Sequence, residues 1–270
     1  MRRVLYPEDV VFGIPRGRRI SDATDRFTWN GLAQVLAKDI VDCHGDDSGA
    51  NNNLFLLFDR VCQRRAKIYF SGENNIPRQG SMLVGFNHNF PMIDLMLVMA
   101  HLAKFNATAR IKGIASGPVM RRLFPPSFFG LGGAVQRHFI SVHYADLEVD
   151  WRPIETNAVG FLNAGANNSV LFALGGIEAL GLNGICHPNR SLGVIAAAAA
   201  TTVLPVLIRG ALDPDRYYFT LSVHFCPAFR VCRGMSTEEI QSEWRRQIAQ
   251  AVQTTVDIST MQQDHQTLRL

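Results

Sequence analysis

A chain of 270 residues that is 47% hydrophobic and 19% charged is long enough to bury a large core and too apolar to be disordered along its length. Its formal net charge of +4 is mild, its basic residues sit in short scattered clusters, and no nucleic-acid-binding module is spelled out, so no nucleic-acid partner is expected. The five cysteines, Cys43, Cys62, Cys186, Cys226 and Cys232, are odd in number and hold no C-x-x-C pair. That argues against a disulfide framework or a metal site and for a reducing, cytoplasmic setting.

Residues 1 to about 26 read as a weakly structured arm, and prolines and charges from Tyr6 to Arg19 replace the apolar stretch of a secretory signal. Phe27 to Val41 carries Trp29, Leu32, Val35 and Leu36 at helical spacing, and Cys43 to Asn53 is a linker rich in Gly, Asp and Asn. Leu54 to Arg64 predicts an amphipathic helix, Ala66 to Gly72 a strand, and Ser81 to Phe86 a second strand after a turn-rich link. A helix over Asp94 to Phe105 and a strand over Ala109 to Ile114 follow, then strand-like pieces at Ala134–Arg137 and Phe139–Val142. Val159 to Ala164 is helical, Ser169 to Leu174 a buried strand, and Leu192 to Ala200 a helix of small residues. Strands at Val203–Ile208 and Tyr217–Phe225 precede a helix over Thr237–Val256, which opens with a capping-box spacing, Ser236-x-x-Glu239. The longest apolar run, Leu192 to Ile208, contains Pro205 and falls short of a membrane span of about 20 residues. Strands alternating with helices argue for an α/β fold. An N-terminal arm, helix and linker (1–53), a main domain (54–260) and a tail (261–270) are expected.

Four stretches carry possible chemistry. The first, Gly85-Phe-Asn87-His88-Asn-Phe-Pro91-Met-Ile-Asp94, puts a histidine and an aspartate at a strand-to-helix junction, where α/β folds present side chains to ligands. An imidazole oriented by a carboxylate removes a proton from a hydroxyl near neutral pH; equally, the two residues serve as turn and helix caps. In the second, Gly132-Gly-Ala-Val-Gln-Arg137, an arginine follows a short strand and binds an anion or faces solvent. The third runs from Asn168 through Phe172-Ala173-Leu174-Gly175-Gly176-Ile177-Glu178-Ala179-Leu180, with a glycine pair that allows backbone N–H groups to approach a ligand. The fourth, Arg190 to Gly210, is a small-residue helix leading into Pro205-Val206 and reads by itself as core.

In this order the stretches resemble the glycerolipid (PlsC-like) acyltransferase superfamily. That family has Asn-His-x-x-x-x-Asp after a strand, a Gly-to-Arg strand, Phe-Pro-Glu-Gly-Thr-Arg, and a Gly-x-x-x-Ala helix leading to a Pro-Val strand. The lead-in Gly72-Glu73-Asn74-Asn75-Ile76-Pro77-x-x-Gly80 also matches, and the likeness spans roughly residues 54 to 235. Five residues, not four, separate His88 from Asp94, and Pro91 lies among them. Together with Phe172 to Leu180, this is closest in style to the diacylglycerol-acyltransferase-like and phytyl-ester-synthase-like branch. Leu174 and Ile177 replace the Glu and Arg that the family assigns to an acceptor phosphate, which points to a neutral alcohol.

The resemblance implies a single mixed sheet flanked by helices, with an N-terminal helical appendage. It implies transfer of a fatty acyl group from acyl-CoA or acyl-ACP, the co-substrate, to a lipid or other alcohol, with no further cofactor. His88 would be the general base and Asp94 its orienting partner, with Asn87, Arg137, Gly175, Gly176 and Glu178 binding substrate and Lys112 a weaker candidate for a donor phosphate. Arg121, Arg122, Phe128 and Phe129 suit peripheral contact with a membrane face. The alternatives are a non-catalytic lipid-binding relative and a thioester or lipid hydrolase using the same pair; no G-x-S-x-G elbow supports a serine hydrolase.

Overall fold

Every residue from Met82 to Asn87 is buried, a pattern that belongs to a central strand with both sheet faces covered. The computed structural model describes residues 29–45, 54–87, 93–106, 109–117, 137–142, 150–164, 168–178, 185–188, 190–213, 216 and 218–254. Its strands are β1 (Ala66–Ser71), β2 (Met82–Asn87), β3 (Arg110–Ser116), β4 (Phe139–Val142), β5 (Ser169–Glu178), β6 (Ile185–Pro188), β7 (Thr202–Asp213), β8 (Tyr218–Phe225) and β9 (Phe229–Arg230). Its helices are α1 (Trp29–Gly45), α2 (Leu54–Arg65), α3 (Ile93–Phe105), α4 (Trp151–Ala164), α5 (Arg190–Ala199) and α6 (Thr237–Thr254). All strands join one sheet in the order β1-β8-β7-β2-β5-β3-β4, with β6 on β5 and β9 on β7. The run β7-β2-β5-β3-β4 is parallel, whereas β8 is antiparallel to β7. The single mixed α/β sheet flanked by helices is therefore the observed fold.

Strand alternation divides the core. Met82, Val84 and Phe86 face one cluster, built with Leu36 and Ile40 of α1, Phe58 of α2 and Met99 of α3. Leu83 faces the other, built with Phe161 of α4, Leu192 of α5 and Trp244 of α6. The crossover from β2 to β3 runs through α3 on the first face, whereas those from β4 to β5 and from β5 to β7 run through α4 and α5 on the second. Parallel crossovers are right-handed, so moves in opposite directions along the sheet must use opposite faces. The reversal falls between β2 and β5 and makes their carboxyl ends a topological switch point.

Several boundaries depart from the sequence reading. Helix α4 begins at Trp151, eight positions before the expected Val159. Asp150 starts it by accepting the Arg152 N–H at 3.1 Å; with Pro153 in the first turn, this is a start signal that apolar periodicity does not register. The expected strand at Ala134–Arg137 lies outside the described residues except for Arg137, which with His138 forms a helical turn. His138 Nδ1 donates to the Ile111 carbonyl at 2.9 Å, anchoring that turn to β3. The capping box of α6 forms as expected: Ser236 N–H donates to Glu239 Oε2 at 2.7 Å, and Glu239 N–H to Ser236 Oγ at 3.2 Å.

Helix α1 is tied to the domain by a fork. The Arg65 guanidinium, at the end of α2, donates through Nε to Asp39 Oδ2 and through Nη2 to Asp39 Oδ1 at 2.9 Å. Its Nη1 reaches the Arg216 carbonyl at 3.2 Å. Asp39→Ala leaves that guanidinium without its carboxylate. The Arg65 side chain is 25% exposed, so water offsets part of the loss. We expect destabilisation of about 2 kcal/mol, below the ~3–5 kcal/mol of a fully buried pair, read as a lower urea midpoint. An unchanged midpoint would show that the fork contributes nothing to stability.

Candidate functional site

At the carboxyl edge of the sheet the described residues outline a notch. β2 stops at Asn87, while β7 on one side continues to Asp213, paired with β8, and β5 on the other continues to Glu178, paired with β6. The notch lies at the switch point between β2 and β5, where α/β sheets bind ligands.

Asn87 builds its floor. Backbone pairing between β2 and β7 ends at Phe86 and Val206. Beyond it the Asn87 side chain takes over: Nδ2 donates to the Ile208 carbonyl at 2.7 Å, and Oδ1 accepts the Ile208 N–H at 2.6 Å. Asn87 is 0% exposed, and its amide is held on both sides by backbone. In this arrangement it fixes the strand end instead of facing a ligand, a role that its neighbourhood in sequence did not disclose. The next residue, His88, lies outside the described residues, as do residues 89–92.

Asp94 is the second residue of α3 and is 0% exposed. Its Oδ1 accepts the Leu95 N–H at 2.8 Å. A carboxylate in the first turn is favoured by the unsatisfied N–H groups and positive end of the helix dipole, which offset the cost of burying it. The nearby Cys62 thiol is pushed far up, first by burial and then by the Asp59 and Asp94 carboxylates, so it stays protonated.

On the other wall, Phe86 pairs with Leu174 but Asn87 pairs with Gly176, so Gly175 has no partner residue on β2. The strand thus does not end at Leu174 as expected: β5 runs on through the glycine pair as a bulge, which glycine tolerates and which bends the strand at the notch. Glu178 ends β5 opposite Ile185. Asn87, Asp94, Gly175 and Gly176 come from separate stretches to one end of the sheet.

Arg137 is not among them. It is exposed, and it precedes Phe139, which pairs with Gly113, whose partner Phe172 pairs in turn with Val84. Arg137 therefore sits towards the opposite end of the sheet, three strands away. The sequence reading placed Arg137 after a short strand, whereas in the structure it lies in the helical turn just before β4. Lys112 is level with Leu83, about 13 Å below Asn87 at ~3.3 Å per residue. Arg209 was left without a role by the sequence reading; it lies on the β7 wall directly after Ile208, half-buried and paired with Ser222. The fourth motif supplies packing: a Cβ on Gly193 would lie 2.7 Å from Thr237 Cγ2 and 2.8 Å from its carbonyl oxygen, where α5 meets α6. Arg121, Arg122, Phe128 and Phe129 lie outside the described residues, and no helix among the described ones is long and apolar enough to cross a membrane.

Towards the far end of α3, His101 stacks on Phe70 with ring centroids 3.6 Å apart, and its Nε2 lies 2.9 Å from Glu73 Oε1. Burial pushes the imidazole below its ordinary range, and the Glu73 carboxylate only partly opposes this. Burial does the same to His224. Below about pH 6.5 the unfolded chain takes up protons that these folded histidines refuse, so stability should be full above that pH and fall with acidification. We expect the melting temperature to drop between pH 7 and pH 5, and to drop less in His101→Phe. A wild-type melting temperature flat across that range would contradict the burial argument.

No protein-family model matches the chain, and no curated protein matches it. Among solved structures it is similar to the crystal structure of the 1-acyl-sn-glycerophosphate (LPA) acyltransferase PlsC from Thermotoga maritima, with a TM-score of 0.56 and 16% sequence identity. The alignment covers 87% of this chain and 92% of that one. The chain shares the fold of that structure over most of both lengths, with the notch at the end of β2 as its candidate site.

Proposed function

We propose that the protein is an acyltransferase that moves a fatty acyl group from an acyl thioester, acyl-CoA or acyl-ACP, to an alcohol, with His88 as general base and Asp94 as its orienting partner. The observation that carries this reading is the strand end itself: Asn87 is clamped to β7 and Asp94 is buried at the start of α3, so the chain on both sides of His88 is anchored at the switch point. The shared fold with an acyltransferase structure supports the same chemistry.

The acceptor hydroxyl attacks the thioester carbonyl while His88 takes its proton. Asp94 stabilises the imidazolium and holds the ring in the tautomer that can accept. The C–S bond then breaks, and the thiolate recovers the proton from His88. The bulge at Gly175 removes that residue from the β2 ladder, which suits its N–H to the developing oxyanion. Leu174 and Ile177 stand where phosphate-binding residues occur in the glycerophosphate enzymes, so the acceptor is a neutral alcohol, presented at a membrane face.

The test is thiol release from acyl-CoA and acyl-ACP by the purified protein, with no acceptor, with long-chain alcohols and with lysophosphatidate. Release that depends on a neutral alcohol is expected. Equal release without acceptor would make the protein a hydrolase, and no release under any condition would leave it a lipid-binding relative.

A further inference from the structure

A second feature lies on the α4 side of the sheet, away from the notch. A groove of about 860 Å³ runs between α4 and the strands β3 and β4, within the ~300–1,000 Å³ of ordinary small-molecule sites. Arg110 and Lys112 point into it from alternate positions of β3, so they share one face of the strand. Both are held over a single ring: the Arg110 guanidinium carbon is 5.1 Å and Lys112 Nζ 5.4 Å from the Phe161 centroid. Arg110 is exposed and Lys112 half-buried, and among the described residues neither has a carboxylate within ion-pair distance. The groove's own acidic residue, Asp150, accepts the Arg152 N–H and caps α4. Two like charges gathered over one ring repel each other, and an anion between them removes that cost. Ile140, Ile154 and Phe161, each nearly buried, form the groove's apolar floor, with Ser141 and Asn157 also lining it.

We propose that this groove binds a single-chain anionic amphiphile, with its carboxylate or phosphate on Arg110 and Lys112 and its chain along Ile140, Ile154 and Phe161. The site is separate from the notch, since Lys112 is level with Leu83 and about 13 Å short of Asn87 along the strand. It does not depend on the acyl-transfer reading: a protein that transfers nothing would still bind here. One residue gives direct control of it. Gly160 lines the groove, and a Cβ added there meets nothing within 4 Å, so a larger side chain enters the groove without disturbing the core.

The experiment is photoaffinity labelling of the full chain with dodecyl probes that carry a diazirine and end in a carboxylate, a phosphate or a neutral hydroxyl. Probes are used below their micellar concentration, and labelled peptides are mapped. The two anionic probes should label peptides covering 137–142 and 150–164, and the stronger of the two identifies the head group. The neutral probe should not label them. Arg110→Ser with Lys112→Ser should reduce that labelling about 10-fold or more, as expected for lost charge-assisted hydrogen bonds. Gly160→Leu should block it with a melting temperature no lower than wild type, because leucine is the better helix former. Labelling that persists in both variants, equal labelling by the neutral probe, or labelling confined to peptides of the notch would overturn the proposal.

Discussion

Replacing Asp94 with asparagine is expected to lower alcohol-dependent thiol release by about 10²–10⁴-fold, the usual worth of a positioned general base, while the fold survives. Asparagine has the shape of aspartate and keeps an oxygen for the Leu95 N–H, which Asp94 Oδ1 accepts at 2.8 Å. On the proposed mechanism, what it loses is the charge that stabilises an imidazolium and the preference for the ring tautomer able to accept a proton. The loss should fall on kcat with KM nearly unchanged, because the interaction is strengthened only as His88 becomes charged. His88→Ala should lose at least as much, and the double variant little more than His88→Ala, as expected of two residues acting in the proposed pair. Full turnover by either single variant would end the assignment. A fall in kcat accompanied by a collapse in melting temperature would instead assign Asp94 to the fold, so both are measured on the same preparation.

The second large effect is on stability, at Gly85. The Trp244 indole, 0% exposed, donates Nε1–H to the Gly85 carbonyl at 3.0 Å and so ties α6 to the central strand. A Cβ on Gly85 would lie 2.7 Å from that nitrogen and 2.6 Å from Leu192 Cδ1. The leucine methyl can turn away, but the indole cannot without giving up a buried hydrogen bond. Overpacking costs about 1–3 kcal/mol and an orphaned buried polar group about 1–3 kcal/mol more. Gly85→Ala should therefore lose roughly 2–6 kcal/mol, a large share of the ~5–15 kcal/mol that holds a typical domain. Trp244→Phe removes the indole nitrogen, which with Leu192 Cδ1 is one of the two atoms nearest to the new Cβ. The alanine should then cost less in the phenylalanine background than in wild type, a coupling that a double-mutant cycle measures directly. Additive costs would show that Trp244 is not what excludes a side chain at Gly85. The glycine thus belongs to the packing beneath the notch, two residues before Asn87.

Much of the fold is legible in the chain. Strands β2, β7 and β8 and helices α2, α3 and α6 follow from apolar runs, alternation and caps because these signals are local: burial on one or both faces repeats at the period of the element itself. The losses are equally physical. Strand β6 is four residues, Ile185–Pro188, which pairs with the end of β5 and lies near α6, and nothing in so short a segment declares its partner. The strand over Ser169–Leu174 reads locally as ending before Gly175-Gly176, but the neighbouring strands carry it on to Glu178. Arg137 was assigned to a substrate through the resemblance to a Gly-to-Arg strand, and its place in the sheet depends on the register of β4 against β3.

The sequence by itself determined that this is an α/β chain and which residue types stand at the strand-to-helix junction: a histidine, an aspartate and, in another stretch, a glycine pair. Strand and helix periods are written in neighbouring residues, so they need no knowledge of the rest of the chain. Only the tertiary structure decided what surrounds them. β7 and β5 outrun β2, which creates the notch. The Asn87 amide turns to the Ile208 backbone 121 positions away. Arg110 and Lys112 gather over Phe161, which comes from a helix some fifty residues further on. Each of these is a contact between distant segments, set by strand order and register, and packing alone settles which strand lies beside which.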